Sequence, residues 1–320
     1  MRIAAIIVVL VGVLAYAALQ GAEAQHLPAP IVVVTSLTTT PWPLGGAAFY
    51  NEVDDTVTQI GTISTRTITE WDAATWTPLE VAVDPCRYSP IPCLWPTAGQ
   101  AIAWTGKVAY NVGGAYSWLE DDPSANIVRY DPALAGIVTV SDAGVPLAEQ
   151  WIEGCAAWDS KRRVAGIFGG ADQTPQPTYM RQIRTFDPER GVVDLIGLLP
   201  HTTDDCGAVY DVERDSWWVV GGHSSGVQHP DIWEIKADGR VRQAGLLPQG
   251  VDYPALLLWN GALYVIGGSD SQGLDLDTIY AFDIFDESVA LLAVALPVPV
   301  KPYSWAMYEN RTWLVTGGSH

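Results

Sequence analysis

The sequence predicts an all-β fold, a six-bladed β-propeller, from two markers that repeat in step. Six apolar stretches each run into glycine, at Gly61, Gly113, Gly169, Gly221, Gly267 and Gly317, at intervals of 46 to 56 residues. Five of the six are Gly-Gly doublets, and the first is Gly61-Thr62. Upstream of each glycine an aromatic residue closes a run of small and apolar residues: Tyr50, Trp104, Trp158, Tyr210, Trp259 and Tyr308. Two independent markers that keep this period signal a repeat architecture with one blade per unit.

The elements of a unit follow in order. Polar turns such as Thr105-Gly106-Lys107, Asn260-Gly261 and Glu309-Asn310-Arg311 lie between aromatic and glycine, so each unit opens with two antiparallel strands. A loop follows the glycine. A third strand then ends in an aromatic-Asp pair at Trp71-Asp72, Tyr130-Asp131, Phe186-Asp187 and Phe282-Asp283, with Ile235-Lys236 in the fourth unit. Asp suits that place because its carboxylate accepts backbone N–H bonds two residues on and ends the strand in a turn. A fourth strand runs toward Leu199-Pro200, Leu247-Pro248 and Leu296-Pro297. The last unit stops at Gly317-Gly318 with two strands only. Ile31-Val32-Val33-Val34 reads as its missing buried strand and residues 38–44 as the outer one. The ring is therefore expected as five continuous blades and one closed by N-terminal strands, which leaves no open sheet edge.

Apolar strands ending in Gly-Gly, followed by an aromatic on the third strand, resemble the kelch repeat of the galactose oxidase-like propellers. The resemblance spans residues 25–320, expected to form one domain, and this fold hosts many unrelated activities. Copper radical oxidases of this kind need two tyrosines, one joined to a cysteine, and two histidines; iron-dependent specifier proteins carry E-x-x-x-D-x-x-x-H. Neither set is found here. A third relative, the exported sialic-acid mutarotase, opens and recloses a sugar ring, which needs a carboxylate or histidine beside a cation. Asp204, Asp205, His223, Arg181 and Lys301 are residues of those types.

Arg2, the apolar run over residues 3–19 and the small-x-small Ala22-Glu23-Ala24 predict a signal peptide over residues 1–24, cut before Gln25. No later segment is apolar enough to cross a membrane, so a secreted or periplasmic location follows. The formal net charge of −19 argues against nucleic acid as a partner, because such a surface repels phosphate backbones. Four cysteines suit an oxidising compartment. Cys86 and Cys93 close a short Pro-rich loop and are expected to pair. Cys155 and Cys206 lie one residue out of step on neighbouring inner strands, as a second disulfide or as two buried thiols. No C-x-x-C or zinc-type spacing is present. Asn310-Arg311-Thr312 is a glycosylation sequon.

Chemistry is expected on one rim, where the loops between second and third strands emerge beside the connections between blades. The expected ligand-binding residues are Trp118, Asp204, Asp205, His223, Asp252, Tyr253 and Tyr303. Asp204, Asp252 and Tyr303 precede the inner strands of three successive units, so a ring brings them toward one funnel. Carboxylates clustered there should have raised pKa values. His201 and His229 belong to the same rim. Asp275-Leu276-Asp277 alternates like a calcium loop but lacks the EF-hand glycine and glutamate. No nucleophile elbow, P-loop or H-E-x-x-H occurs. No cofactor or metal is expected. The expected function is a binding or scaffold module for a glycan or an extracellular protein. A sugar-modifying enzyme and a self-associating surface protein are the alternatives.

Overall fold

The computed structural model describes residues 6–10, 32–36, 47–62, 65–73, 78–82, 101–114, 125–134, 141–142, 151–172, 178–308 and 311–315. Trp118, Cys86, Cys93 and Asn310 lie outside them. The protein is an all-β β-propeller. Five blades are each built of four antiparallel strands in chain order, with a small hairpin, His223–Ser224 and Val227–Gln228, inserted in the fourth. The first comprises Ala47–Asn51, Thr56–Thr62, Thr65–Asp72 and Pro78–Ala82; the second Ala101–Trp104, Ala109–Val112, Ile127–Tyr130 and Ser141–Asp142. The third comprises Cys155–Asp159, Val164–Phe168, Gln182–Asp187 and Val192–Leu198. The fourth comprises Gly207–Asp211, Ser216–Val220, Asp231–Lys236 and Val241–Leu246, and the fifth Ala255–Trp259, Ala262–Ile266, Ile279–Asp283 and Val289–Leu291. Among the described residues, no helix is long and apolar enough to cross a membrane.

The Gly-Gly doublets are the joints between blades. The first glycine donates its N–H to its own third-strand side: Gly169 to Gln182 O at 3.1 Å, Gly221 to Asp231 O at 3.0 Å, Gly267 to Thr278 O at 3.0 Å. The second donates to the segment that leads into the next inner strand: Gly114 to Trp151 O at 2.8 Å, Gly170 to Thr203 O at 2.7 Å, Gly222 to Val251 O at 2.8 Å, Gly268 to Val300 O at 2.9 Å. Gly169 and Gly170 have φ of 59° and 100°, a left-handed pair that side chains resist. A Cβ on Gly169 would also strike the carbonyl of Thr203. Turn, bond and close approach together require glycine.

The Asp residues that end the third strands act as the sequence implies. Asp187 Oδ1 accepts from Glu189 N at 2.9 Å and Arg190 N at 3.0 Å, and Asp283 Oδ1 accepts from Phe285 N at 2.8 Å. The marker aromatics close the inner hairpins. Tyr210 Oη donates to Asp215 at 2.6 Å and Tyr50 Oη to Asp55 at 2.7 Å, and both aspartates hold positive φ in the turn.

Where the sequence counts a sixth, split blade, five blades are built of strands in chain order and the chain ends make a further sheet. Its order is Val32–Ser36, Ile6–Leu10, Arg311–Val315, Ser304–Tyr308. The strand beside Arg311–Val315 is thus Ile6–Leu10, within the predicted leader, and not the expected run from Ile31; Val32–Ser36 is outermost. The expected outer strand over residues 38–44 lies outside the described residues. The discrepancy has a physical source. Both segments are short β-branched runs able to fill the same edge, and an apolar pattern alone does not rank them. The last hairpin meets a blade on each side. Leu314 packs with Ala255, Leu257 and Tyr264 of the fifth blade, and Ala306 with Ala48 and Tyr50 of the first.

Cys155 and Cys206 form a disulfide with Cα atoms 5.5 Å apart. They sit at the start of neighbouring inner strands, where blades three and four converge. Their one-residue offset does not keep them apart. Buried Trp217, Phe168 and Trp233 pack behind the bridge between the same two blades.

Candidate functional site

A cavity of about 290 Å³ runs between the inner strands. Its wall is mostly small and apolar, with Ala48, Ala157, Ala208 and Ala306 contributed by different sheets. Marker aromatics Tyr50, Trp104, Trp158 and Tyr210 line it as well, and Glu153, Asp205, Tyr253 and Tyr303 make it polar where the chain enters the inner strands.

That polar mouth follows from the joints. Counting from the carbonyls that receive the second glycines aligns Trp151-Ile152-Glu153, Thr203-Asp204-Asp205, Val251-Asp252-Tyr253 and Val300-Lys301-Pro302. The middle residue of each of the first three bridges to the residue after its own blade's doublet: Ile152 to Ala171, Asp204 to His223, Asp252 to Ser269. The third residue turns into the channel with positive φ, 57° at Glu153, 50° at Asp205 and 48° at Tyr253. These three form a belt. Asp205 N–H donates to Glu153 O, and Tyr253 N–H donates to Asp205 O at 2.7 Å. Pro302 has no N–H with which to continue it.

Side chains fill in the mouth. His223 Nε2 accepts from Gly226 N–H at 3.0 Å, which places the ring proton on Nδ1, facing Asp204 Oδ1 at 3.2 Å. Ser269 Oγ donates to Asp252 Oδ1, and Lys301 Nζ stands 3.6 Å from Asp252 Oδ2. The same ammonium lies 4.1 Å above the Tyr253 ring and 5.4 Å from that of Tyr303, and the two rings are 5.1 Å apart. Tyr253 Oη reaches Glu153 Oε1 at 3.5 Å. Asp205 Oδ1 is buried without a hydrogen-bond partner among the described residues.

The electrostatics follow from this crowding. Burial, then repulsion from Asp204, raises Glu153 to about 7. Asp205 is raised well above the carboxylate range by burial and by Glu153 and Asp204. Burial raises Asp204 too, against the pull of His223, whose own pKa rises through its bond to Asp204. Burial pushes Tyr303 up to about 12. Asp204, Asp205 and His223 also offer ligand atoms within 4.8 Å of one another, a set that could hold a hard cation.

Of the expected ligand-binding residues, Asp204, Asp205, His223, Asp252, Tyr253 and Tyr303 meet in this one place, while Trp118 lies outside the described residues. Glu153, Lys301 and Ser269 complete the group. The signal for them was their place in a unit: Glu153 and Lys301 precede inner strands, and Ser269 directly follows the Gly267-Gly268 doublet. No protein-family model matches the chain, and no curated protein matches it.

Proposed function

We propose that the protein is an exported kelch-type propeller whose two chain ends close a ring of six blades, and that it binds a glycan, free or carried on an extracellular protein, at the polar mouth of its channel. The carrying observation is the convergence of four carboxylates, one lysine and two tyrosine rings from successive blades on one end of a cavity of about 290 Å³. Carboxylates accept hydrogen bonds from sugar hydroxyls, aromatic faces cover the C–H side of a sugar, and a cavity near this size takes a terminal residue. Glu153 at about 7 supplies a donor or an acceptor according to pH. The propeller fold suits such a module, and the disulfide is compatible with an oxidising compartment. Six-blade closure is supported by the last hairpin, which packs against both the fifth and the first blade. A glycan panel titrated against the mature protein, read by intrinsic tryptophan fluorescence, tests the reading: at least one glycan class should give saturable binding, and a panel without any would reject it.

One observation favours a second reading, catalysis on a sugar ring. Glu153 near neutrality beside the His223–Asp204 pair is an acid/base couple of the kind that moves a proton to and from a ring oxygen. Under that reading the protein accelerates anomer interconversion of a bound sugar, followed by NMR, and Glu153→Gln abolishes the acceleration while binding persists.

A further inference from the structure

The fourth blade carries a second group of polar side chains, apart from the channel mouth. His201 comes from the connection between blades three and four. His229 and Asp231 come from the loop after the Gly221-Gly222 doublet, at the start of Asp231–Lys236. His201 Nε2 lies 2.8 Å from Asp231 Oδ2, and the His201 and His229 rings stack at 3.9 Å with 25° between their planes. One ligand atom from each of the three falls within 4.8 Å of the others. We propose that His201, His229 and Asp231 form a binding site for a divalent first-row transition-metal ion.

Three features make this a built site. His201 Nδ1 points at the carbonyl of Thr202 at 3.0 Å, an oxygen that can only accept, so Nδ1 carries a proton. The 2.8 Å contact between Nε2 and Asp231 Oδ2 is then made by a second ring proton, and a metal ion bound between the two takes that proton's place. Fixing a histidine's distal N–H on a backbone carbonyl is the usual outer support of a ligating imidazole. Asp231 is oriented likewise, its Oδ1 accepting from Gln243 Nε2. The His229 ring stacks on that of His201 and brings a ligand atom within 4.8 Å of the other two. Among the described residues, His229 Nε2 meets the Ser224 hydroxyl at 2.9 Å, which can turn to donate or accept.

The donor set identifies the class of ion. Two imidazoles and one carboxylate suit zinc and its first-row neighbours, whereas calcium and magnesium take oxygen ligands. Ligand atoms at about 2.0–2.2 Å from one ion sit roughly 3 Å apart, so the 2.8 Å His201–Asp231 contact opens only slightly. His201 is partly exposed, so water or a ligand group can reach an ion held there.

Chelator-stripped protein titrated with cobalt(II) and with zinc(II) tests the assignment. One equivalent of cobalt should bind with visible d–d absorption typical of mixed nitrogen and oxygen ligands, displaced by zinc, and zinc should raise the melting temperature. His201→Gln and His229→Gln should each weaken zinc binding more than about tenfold while the metal-free melting temperature stays close to that of the parent. Asp204→Ala, in the neighbouring acidic group, should leave it unchanged. Absence of a bound equivalent, unchanged affinity in the His201→Gln/His229→Gln double variant, or loss confined to Asp204→Ala would each overturn the assignment.

Discussion

Glu153 sets the pH response of the channel mouth. Its carboxyl titrates near 7 in the folded protein and about 4.3 in an unfolded chain. Below the lower value both states are protonated. Between the two values the unfolded chain has released a proton that the folded chain retains, so stability falls as pH rises through that window, by up to about 4 kcal/mol. Glu153→Gln should flatten this dependence and raise the melting temperature at about pH 8 relative to the parent. Melting curves at about pH 5 and about pH 8 check it, and a variant that melts lower than the parent at the higher pH would contradict the account. Asp204 and Asp252 were legible as site residues because they precede the inner strands of successive units, which a ring brings together. Glu153 was legible as a blade-entry residue of the same rim, but only the belt bond from Asp205 N–H and its left-handed turn bring it against Asp204.

The strongest constraints at the scale of elements are the joints. Gly169→Ala places a Cβ on the Thr203 carbonyl in a left-handed backbone, and should cost more than about 3 kcal/mol. Gly226, also left-handed but with nothing near its Cβ position, is the comparison; Gly226→Ala should cost about 1 kcal/mol, the conformational penalty alone. Urea unfolding separates the two, and equal costs would mean that the joint is not a close approach. The disulfide is the second constraint. Cys155 and Cys206 are 51 residues apart, and opening that loop to the unfolded chain should lower stability by about 2–4 kcal/mol, read as a lower melting temperature after reduction. The hairpins, third strands and aspartate turns were legible because period, turn residues and capping chemistry agree at each. The strand completing the last sheet was not, since Ile6–Leu10 and Val32–Ser36 carry the same kind of apolar pattern and only the pairing ranks them.

For the whole molecule, the chain ends and the channel decide whether the proposed ring and its ligand site stand. In a chain beginning at Gln25, the strand Ile6–Leu10 is gone, and closure then requires Val32–Ser36 to pair directly with Arg311–Val315. Hydrogen exchange should show those amides of Arg311–Val315 still protected in the shortened chain, and exposed once residues 31–44 are also removed, with a drop in melting temperature for the whole domain. Protection that vanishes with the leader alone would mean that the N-terminal run beyond it does not close the sheet. The ligand site is tested most directly by calorimetric titration of the tightest-binding panel glycan into three proteins: the parent, an Asp204→Ala/Asp205→Ala/Tyr253→Ala variant, and a Lys107→Ala/Lys161→Ala variant altered on the exposed turns at the other end of the inner strands. Removing two crowded carboxylates relieves repulsion, so the triple variant should remain folded. The account predicts that it loses binding while the lysine variant binds as the parent does; binding retained in the triple variant, or lost only in the lysine variant, would place the ligand elsewhere.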